Sequence, residues 1–112
     1  MLRMHPREER LAKNEVLFRK ANDRIDDRAE GQTEPGETIA FYCECADRDC
    51  TDRLEITAAE FENVRARPTQ FLVKPGHQVL EIETIITRTP LYLVVEKTGD
   101  AAEYVRDELD QA

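Results

Sequence analysis

Apolar side chains recur at heptad spacing between Arg7 and Glu30, at Leu11, Phe18 and Ile25, with Asn14, Leu17 and Ala21 filling the same face. This period predicts one long amphipathic helix over residues 7–30. Pro6 suits its first turn, where a missing N–H is no loss. The seam is narrow and spans about two heptads, short of the ~3 to 4 that define a coiled coil. It packs either on the chain's own sheet or on a partner surface, which leaves a homodimer open.

The helical period ends at Gly31, and residues 31–38 form a polar linker punctuated by Gly31, Pro35 and Gly36. Beyond it the pattern shortens. Thr38-Ile39-Ala40-Phe41-Tyr42-Cys43-Glu44 reads as a strand, and Arg53-Leu54-Glu55-Ile56 alternates as a second. Thr57-Ala58-Ala59-Glu60 matches a capping box, so a short central helix follows to about Arg67, burying Phe61 and Val64 and ending at Pro68. Phe71-Leu72-Val73 predicts another strand. Leu80, Ile82, Thr84 and Ile86 share one side of a further strand running to Thr87, and Leu91 to Glu96 is rich in β-formers. Thr89-Pro90 between them predicts an antiparallel hairpin. Over residues 100–112 Ala101, Tyr104, Val105 and Leu109 mark the inner face of a C-terminal helix or acidic tail.

These elements predict an α+β fold in a single small domain spanning 1–112. An N-terminal amphipathic helix packs on a small, mainly antiparallel sheet, with a short central helix and a C-terminal helix around a Cys/His core over 39–99. The composition makes that core modest: the chain has no Trp, four Phe and three Tyr, and 36% of its residues are charged. A structural metal would add stability that burial alone supplies sparingly. The net charge is −8, and the last 13 residues hold five acidic side chains against one basic. No segment carries the basic stripe that phosphate-backbone binding needs, so the charge disfavours nucleic acid and anionic membranes alike. No stretch approaches the ~18 consecutive apolar residues of a membrane helix, and Met1-Leu2-Arg3-Met4-His5-Pro6 lacks the apolar core of a signal peptide, so the sequence predicts a cytoplasmic chain.

The chemistry concentrates in Cys43-Glu44-Cys45-Ala46-Asp47-Arg48-Asp49-Cys50. In an extended segment Cys43 and Cys45 point to one side, and Cys50 returns after a four-residue loop. Three thiols cannot complete a disulfide framework, and a reducing compartment keeps them available for metal. Zinc takes four ligands and prefers thiolate and imidazole, so His77, presented by Pro75-Gly76, is the natural fourth partner. Glu44, Asp47 and Asp49 are weaker candidates, because a carboxylate beside three thiolates gives a more negative site than neutral histidine does. Arg48 and Arg53 are placed to offset the remaining charge. His5 lies too near the terminus to be favoured. The set Cys43, Cys45, Cys50 and His77 is thus the predicted zinc site.

Other readings of the same residues stay open. One or two of the cysteines act as small buried hydrophobes, or the cluster acts as redox-active thiols with Cys45 and Cys50 as a disulfide pair. If His77 does not ligate, three cysteines and a water make an open catalytic site with Glu44 or Glu55 as base, or His77 activates a nucleophilic thiolate. No phosphate loop, oxyanion-type Gly loop or HExxH helix supports an enzyme.

The Cys-x-Cys-x4-Cys spacing also occurs in the zinc cluster that follows the catalytic core of SET-domain methyltransferases, a resemblance confined to those eight residues. A broader one runs from Asn14 to Lys97. Asn14-Glu15-Val16-Leu17-Phe18-Arg19, Asn22-Asp23-Arg24-Ile25, Cys43-Glu44-Cys45 with Cys50, Arg53-Leu54-Glu55-Ile56-Thr57, Glu60-Phe61-Glu62-Asn63-Val64-Arg65 with Pro68, Phe71 through His77, and Val94-Val95-Glu96-Lys97 resemble a group of small actinobacterial proteins of unassigned function. The resemblance implies a stand-alone domain in which the Cys/Cys/Cys/His set is a family pattern, and it brings no activity. The expectation is a small cytoplasmic zinc-binding module, its metal structural, acting through a protein partner or in regulation.

Overall fold

The computed structural model describes residues 5–109. The element order is α1 (Pro6–Ala29), β1 (Thr38–Tyr42), β2 (Arg53–Thr57), α2 (Ala58–Arg65), β3 (Gln70–Val73), β4 (Glu83–Arg88), β5 (Leu93–Lys97) and α3 (Gly99–Leu109). This is the α+β architecture that the periodicities predict. The strands divide between two antiparallel sheets, β1-β2 and β3-β5-β4, instead of forming one. Residues 1–4 and 110–112, the outer ends of the predicted N- and C-terminal segments, lie outside the described residues.

Local chemistry sets most of the boundaries. At the start of α1 Pro6 occupies the first turn, and His5 caps it by accepting the Arg7 N–H at its Nδ1, 3.1 Å away. The Thr57–Glu60 capping box forms in both directions and starts α2. The hairpin turn is held by Thr89, whose hydroxyl accepts the N–H groups of Leu91 and Tyr92. β4 begins later than the alternation suggests: Leu80 is exposed, Ile82 is buried ahead of the strand, and a bulge between Ile85 and Thr87 resets the register. Ile85, paired with Val95 ahead of the bulge, packs inward and Ile86 points out.

Alternation along β3 and β5 divides the core into two clusters. Phe71, Val73, Leu93 and Val95 join Ala12 and Val16 of α1, Val105 of α3, and Cys43 and Cys45. On the other face Leu72 and Val94 join Phe41, Leu54, Ile56, Phe61 and Val64, with the Phe41 and Phe61 rings stacked at 4.5 Å. α3 shows the expected face, with Ala101 and Val105 buried and Tyr104 and Leu109 packed beside them. No helix among the described residues is long and apolar enough to cross a membrane.

α1 departs from expectation. Its buried face is Ala12, Glu15, Val16, Arg19, Asn22 and Asp26, while Leu17 is 58% exposed and Leu11, Phe18 and Ile25 are only partly covered. The helix is rotated away from its apolar seam because the body offers charged partners. Arg19 donates to both Glu44 oxygens, at 2.8 and 3.0 Å, and its guanidinium lies 4.5 Å from the centre of the Phe71 ring. Asn22 and the Leu72 N–H also donate to Glu44. Beside this group the Lys97 ammonium is bonded to Glu15 and Glu83, all three fully enclosed. Charges buried this deeply are tolerated only when paired.

Candidate metal centre

Three chain segments converge on the cysteine cluster. The pairing of β1 with β2 continues beyond the strands, since the Cys43 N–H donates to the Asp52 carbonyl at 3.1 Å. The Glu44 N–H donates to the Leu72 carbonyl at 2.7 Å, which ties this segment to β3. Cys43 and Cys45 therefore fall on the same side, as alternation predicts, and both are buried. A tight turn returns Cys50: its N–H donates to the Asp47 carbonyl, and the Asp47 carboxylate accepts the Asp49 N–H. The Asn14 side chain holds this loop to α1 through the Ala46 carbonyl at 2.8 Å.

His77 arrives on a turn of its own. Its N–H donates to the Lys74 carbonyl at 2.9 Å, with Pro75 and Gly76 at the centre and Gly76 at φ 96°. That is the pattern of a type II turn, in which Pro sets the first angle and only Gly adopts the second without strain. The turn brings His77 Nδ1 to 3.5 Å from the Cys43 sulfur and 3.6 Å from the Cys50 sulfur. All four predicted residues are brought together: the ligand atoms of Cys43, Cys45, Cys50 and His77 lie within 4.8 Å of one another. A tetrahedral zinc with ordinary bond lengths separates a sulfur from a nitrogen by about 3.6 Å. The group is close enough to bind a metal ion.

The surroundings suit a cation. The Lys74 N–H donates to the Cys43 sulfur at 3.2 Å, which favours a thiolate there. His77 turns its other nitrogen, Nε2, to Asp52 Oδ2 at 3.4 Å, and Lys74 Nζ lies 3.6 Å from the same oxygen. A carboxylate behind a metal-facing imidazole fixes which nitrogen carries the proton and strengthens the ligand. The thiols titrate as a group. The hydrogen bond between Cys43 and Cys45 pushes Cys43 up, with burial adding to it, and draws Cys45 down to about 5, while burial raises Cys50. A proton shared among crowded sulfurs is what a metal displaces on binding.

The weaker candidates lie elsewhere. Glu44 is enclosed in the Arg19 and Asn22 network, Glu55 accepts from Thr38 on the exposed side of β2, and neither faces the sulfurs as a base would. Asp47 and Asp49 are exposed and engaged in the turn. Arg53 stacks on Tyr42 at 3.7 Å and donates to the Ala40 carbonyl, so the nearby cation is Lys74 and not Arg53. His5 is the α1 cap. Asp52 is passed over by sequence reasoning, with a carboxylate two positions after Cys50 as its signal, and Asn14, placed there on the helix face, gives no sign in one dimension of its bond to the metal loop. Comparison of the chain with family models, with curated proteins and with solved structures finds no match.

Proposed function

We propose that Cys43, Cys45, Cys50 and His77 hold one zinc ion as a closed structural site in a small cytoplasmic module that acts by binding another protein. The observation that carries the metal reading is the convergence of three thiols and one imidazole, within 4.8 Å of one another, from three chain segments. Four protein ligands leave no open position for substrate, which favours a structural role over a catalytic one. Zinc is favoured over iron because iron and its clusters ordinarily take a fourth cysteine. The partner reading rests on the apolar seam of α1, which the body covers only in part and beside which Leu17 is exposed.

Metal analysis of purified protein tests this directly. One zinc per chain is expected in wild type, with less metal retained by His77→Ala and Cys50→Ser. Cobalt in place of zinc should give the visible absorption of a tetrahedral thiolate complex, shifted in His77→Ala. Absence of metal from protein purified and refolded with zinc present would overturn the reading.

The partial exposure of Cys50 favours a second reading, a thiol switch in which oxidation of the cluster releases the metal. Mild peroxide should then lower zinc occupancy and free-thiol count together. Unchanged values at doses that oxidise ordinary low-pKa cysteines would remove it.

A further inference from the structure

The apolar seam that α1 turns away from the core is not left bare of chemistry. Leu17, Phe18, Ala21 and Tyr42 floor an open groove of about 580 Å³, and the charged side chains along it are Arg10, Lys13 and Arg48. No acidic residue lines it, in a chain with 24 acidic against 16 basic side chains. Asp47 and Asp49 flank Arg48 in sequence but do not reach the groove. A purely cationic apolar groove on a protein of net charge −8 is complementary to one class of occupant.

We infer that this groove docks an acidic segment of a partner protein that carries apolar side chains. Leu17 is 58% exposed and, with Asn14, Phe18 and Ala21, follows the i, i+3, i+4, i+7 spacing by which a helix face meets an apolar segment. The groove is lined by α1 from Arg10 to Ala21 and is open to solvent, which suits a peptide better than an enclosed small molecule. A short acidic segment meets mainly the local field, because charges beyond about 8 Å are screened at physiological salt. A long polyanion such as nucleic acid would also meet the surrounding acidic surface.

The groove is built partly from the metal loop, and to that extent the inference rests on the zinc reading above. Arg48 sits between Cys45 and Cys50, and Asn14, which lines the groove, bonds the Ala46 carbonyl of the same loop. A metal that fixes the positions of Cys45 and Cys50 also fixes where Arg48 points. Metal loss therefore weakens docking through Arg48 while leaving Leu17 and Lys13 in place.

The test uses the full chain, zinc-loaded, and a short fluorescent peptide of alternating Glu and Leu, with its Lys-for-Glu counterpart and a single-stranded oligonucleotide as comparators. The acidic peptide should bind at least about tenfold tighter than the basic one, and Leu17→Ser and Arg48→Ala should each weaken it by about fivefold or more. Chelation should weaken binding to wild type and have little further effect on Arg48→Ala. Leu17 is a surface residue, so Leu17→Ser should keep the wild-type far-UV spectrum. Equal binding of the two peptides, indifference to Leu17→Ser, or tighter binding of the oligonucleotide overturns the groove. Metal content measured on the same samples separates the two proposals. Full zinc with no preference for the acidic peptide defeats the groove alone, whereas an affinity for the acidic peptide that is unchanged in metal-free protein defeats the coupling to the metal loop.

Discussion

Asp52 makes no claim on a metal ion, yet it decides how His77 meets one. Its Oδ2 faces His77 Nε2 at 3.4 Å, which leaves Nδ1 as the atom turned toward the sulfurs. Partners of this kind typically alter metal affinity by about 10- to 100-fold. Asp52→Asn should accordingly weaken zinc within that range, measured by competition with a chromogenic chelator, while the loaded protein keeps its fold. Affinity equal to wild type would mean the contact is incidental. Glu15 supplies a second residue-scale test, because burial pushes its carboxyl up from 4.5 to about 7 against the pull of Lys97, and one of its oxygens has no hydrogen-bond partner. Lys97 faces two carboxylates, Glu15 and Glu83, and the folded state retains a proton that the unfolded chain has released. The contribution of Glu15 is therefore fully present below about 4.5 and is lost as pH rises through about 7. Glu15→Gln cannot titrate. Between pH 5 and pH 7.5, urea midpoints taken with zinc in excess should show wild type losing on the order of 2 kcal/mol relative to this variant. Acid release of zinc affects both proteins alike, so the difference reports Glu15. Parallel pH profiles would contradict the assignment.

Among the elements, the His77 turn shows most directly how a short motif becomes a site. Gly76 holds φ 96°, and a Cβ there would meet no atom within 4 Å, so the cost of Gly76→Ala is conformational rather than steric. A cost of about 1 kcal/mol is expected from the left-handed angle. It should appear as weaker zinc binding if the turn relaxes, or as a lower melting temperature if it does not; neither effect would show that the turn need not be held. This turn, the Thr57–Glu60 box and the alternate cysteines were legible because each is specified by residues within a few positions of one another. The facing of α1 was not. Its apolar seam is local and points to Leu11, Phe18 and Ile25, whereas its buried side is chosen by Glu44, 25 residues from Arg19, and by Lys97, 82 residues from Glu15. One-dimensional patterning counts a buried arginine as surface unless its partner is known, and long-range charge pairing leaves no period to detect. β4 failed for a local reason: residues 80–82 form a turn, in which the Ile82 N–H donates to the Val79 carbonyl, so the strand begins at Glu83 in the opposite phase.

For the whole molecule, the candidate metal site stands where the two sheets meet. Cys43 leaves β1, Cys50 precedes β2 and His77 follows β3, so a single ion would fasten the two-stranded sheet to the three-stranded one. Beside it the Glu44 N–H to Leu72 carbonyl bond and the Leu72 N–H to Glu44 carboxylate bond cross the same junction, and Leu72 and Val94 pack across it against Phe41, Leu54 and Ile56. The second core cluster, with the Phe41–Phe61 stack and the capped α2, lies on the opposite face of β3 and includes none of the four site residues. Ligand binding to the folded state alone stabilises it by about 2.7 kcal/mol at a free concentration 100 times the dissociation constant. Zinc should therefore raise the melting temperature in a concentration-dependent way. Its removal should loosen the molecule unevenly, since local openings follow local contact strength. Hydrogen exchange after chelation should show protection lost first at the amides of Lys74, His77 and Cys50, whose partners are the Cys43 sulfur and the two site turns. The amides within α2 should hold longer. Simultaneous loss at both places would instead make the metal a condition for the entire fold, and the two clusters a single cooperative unit.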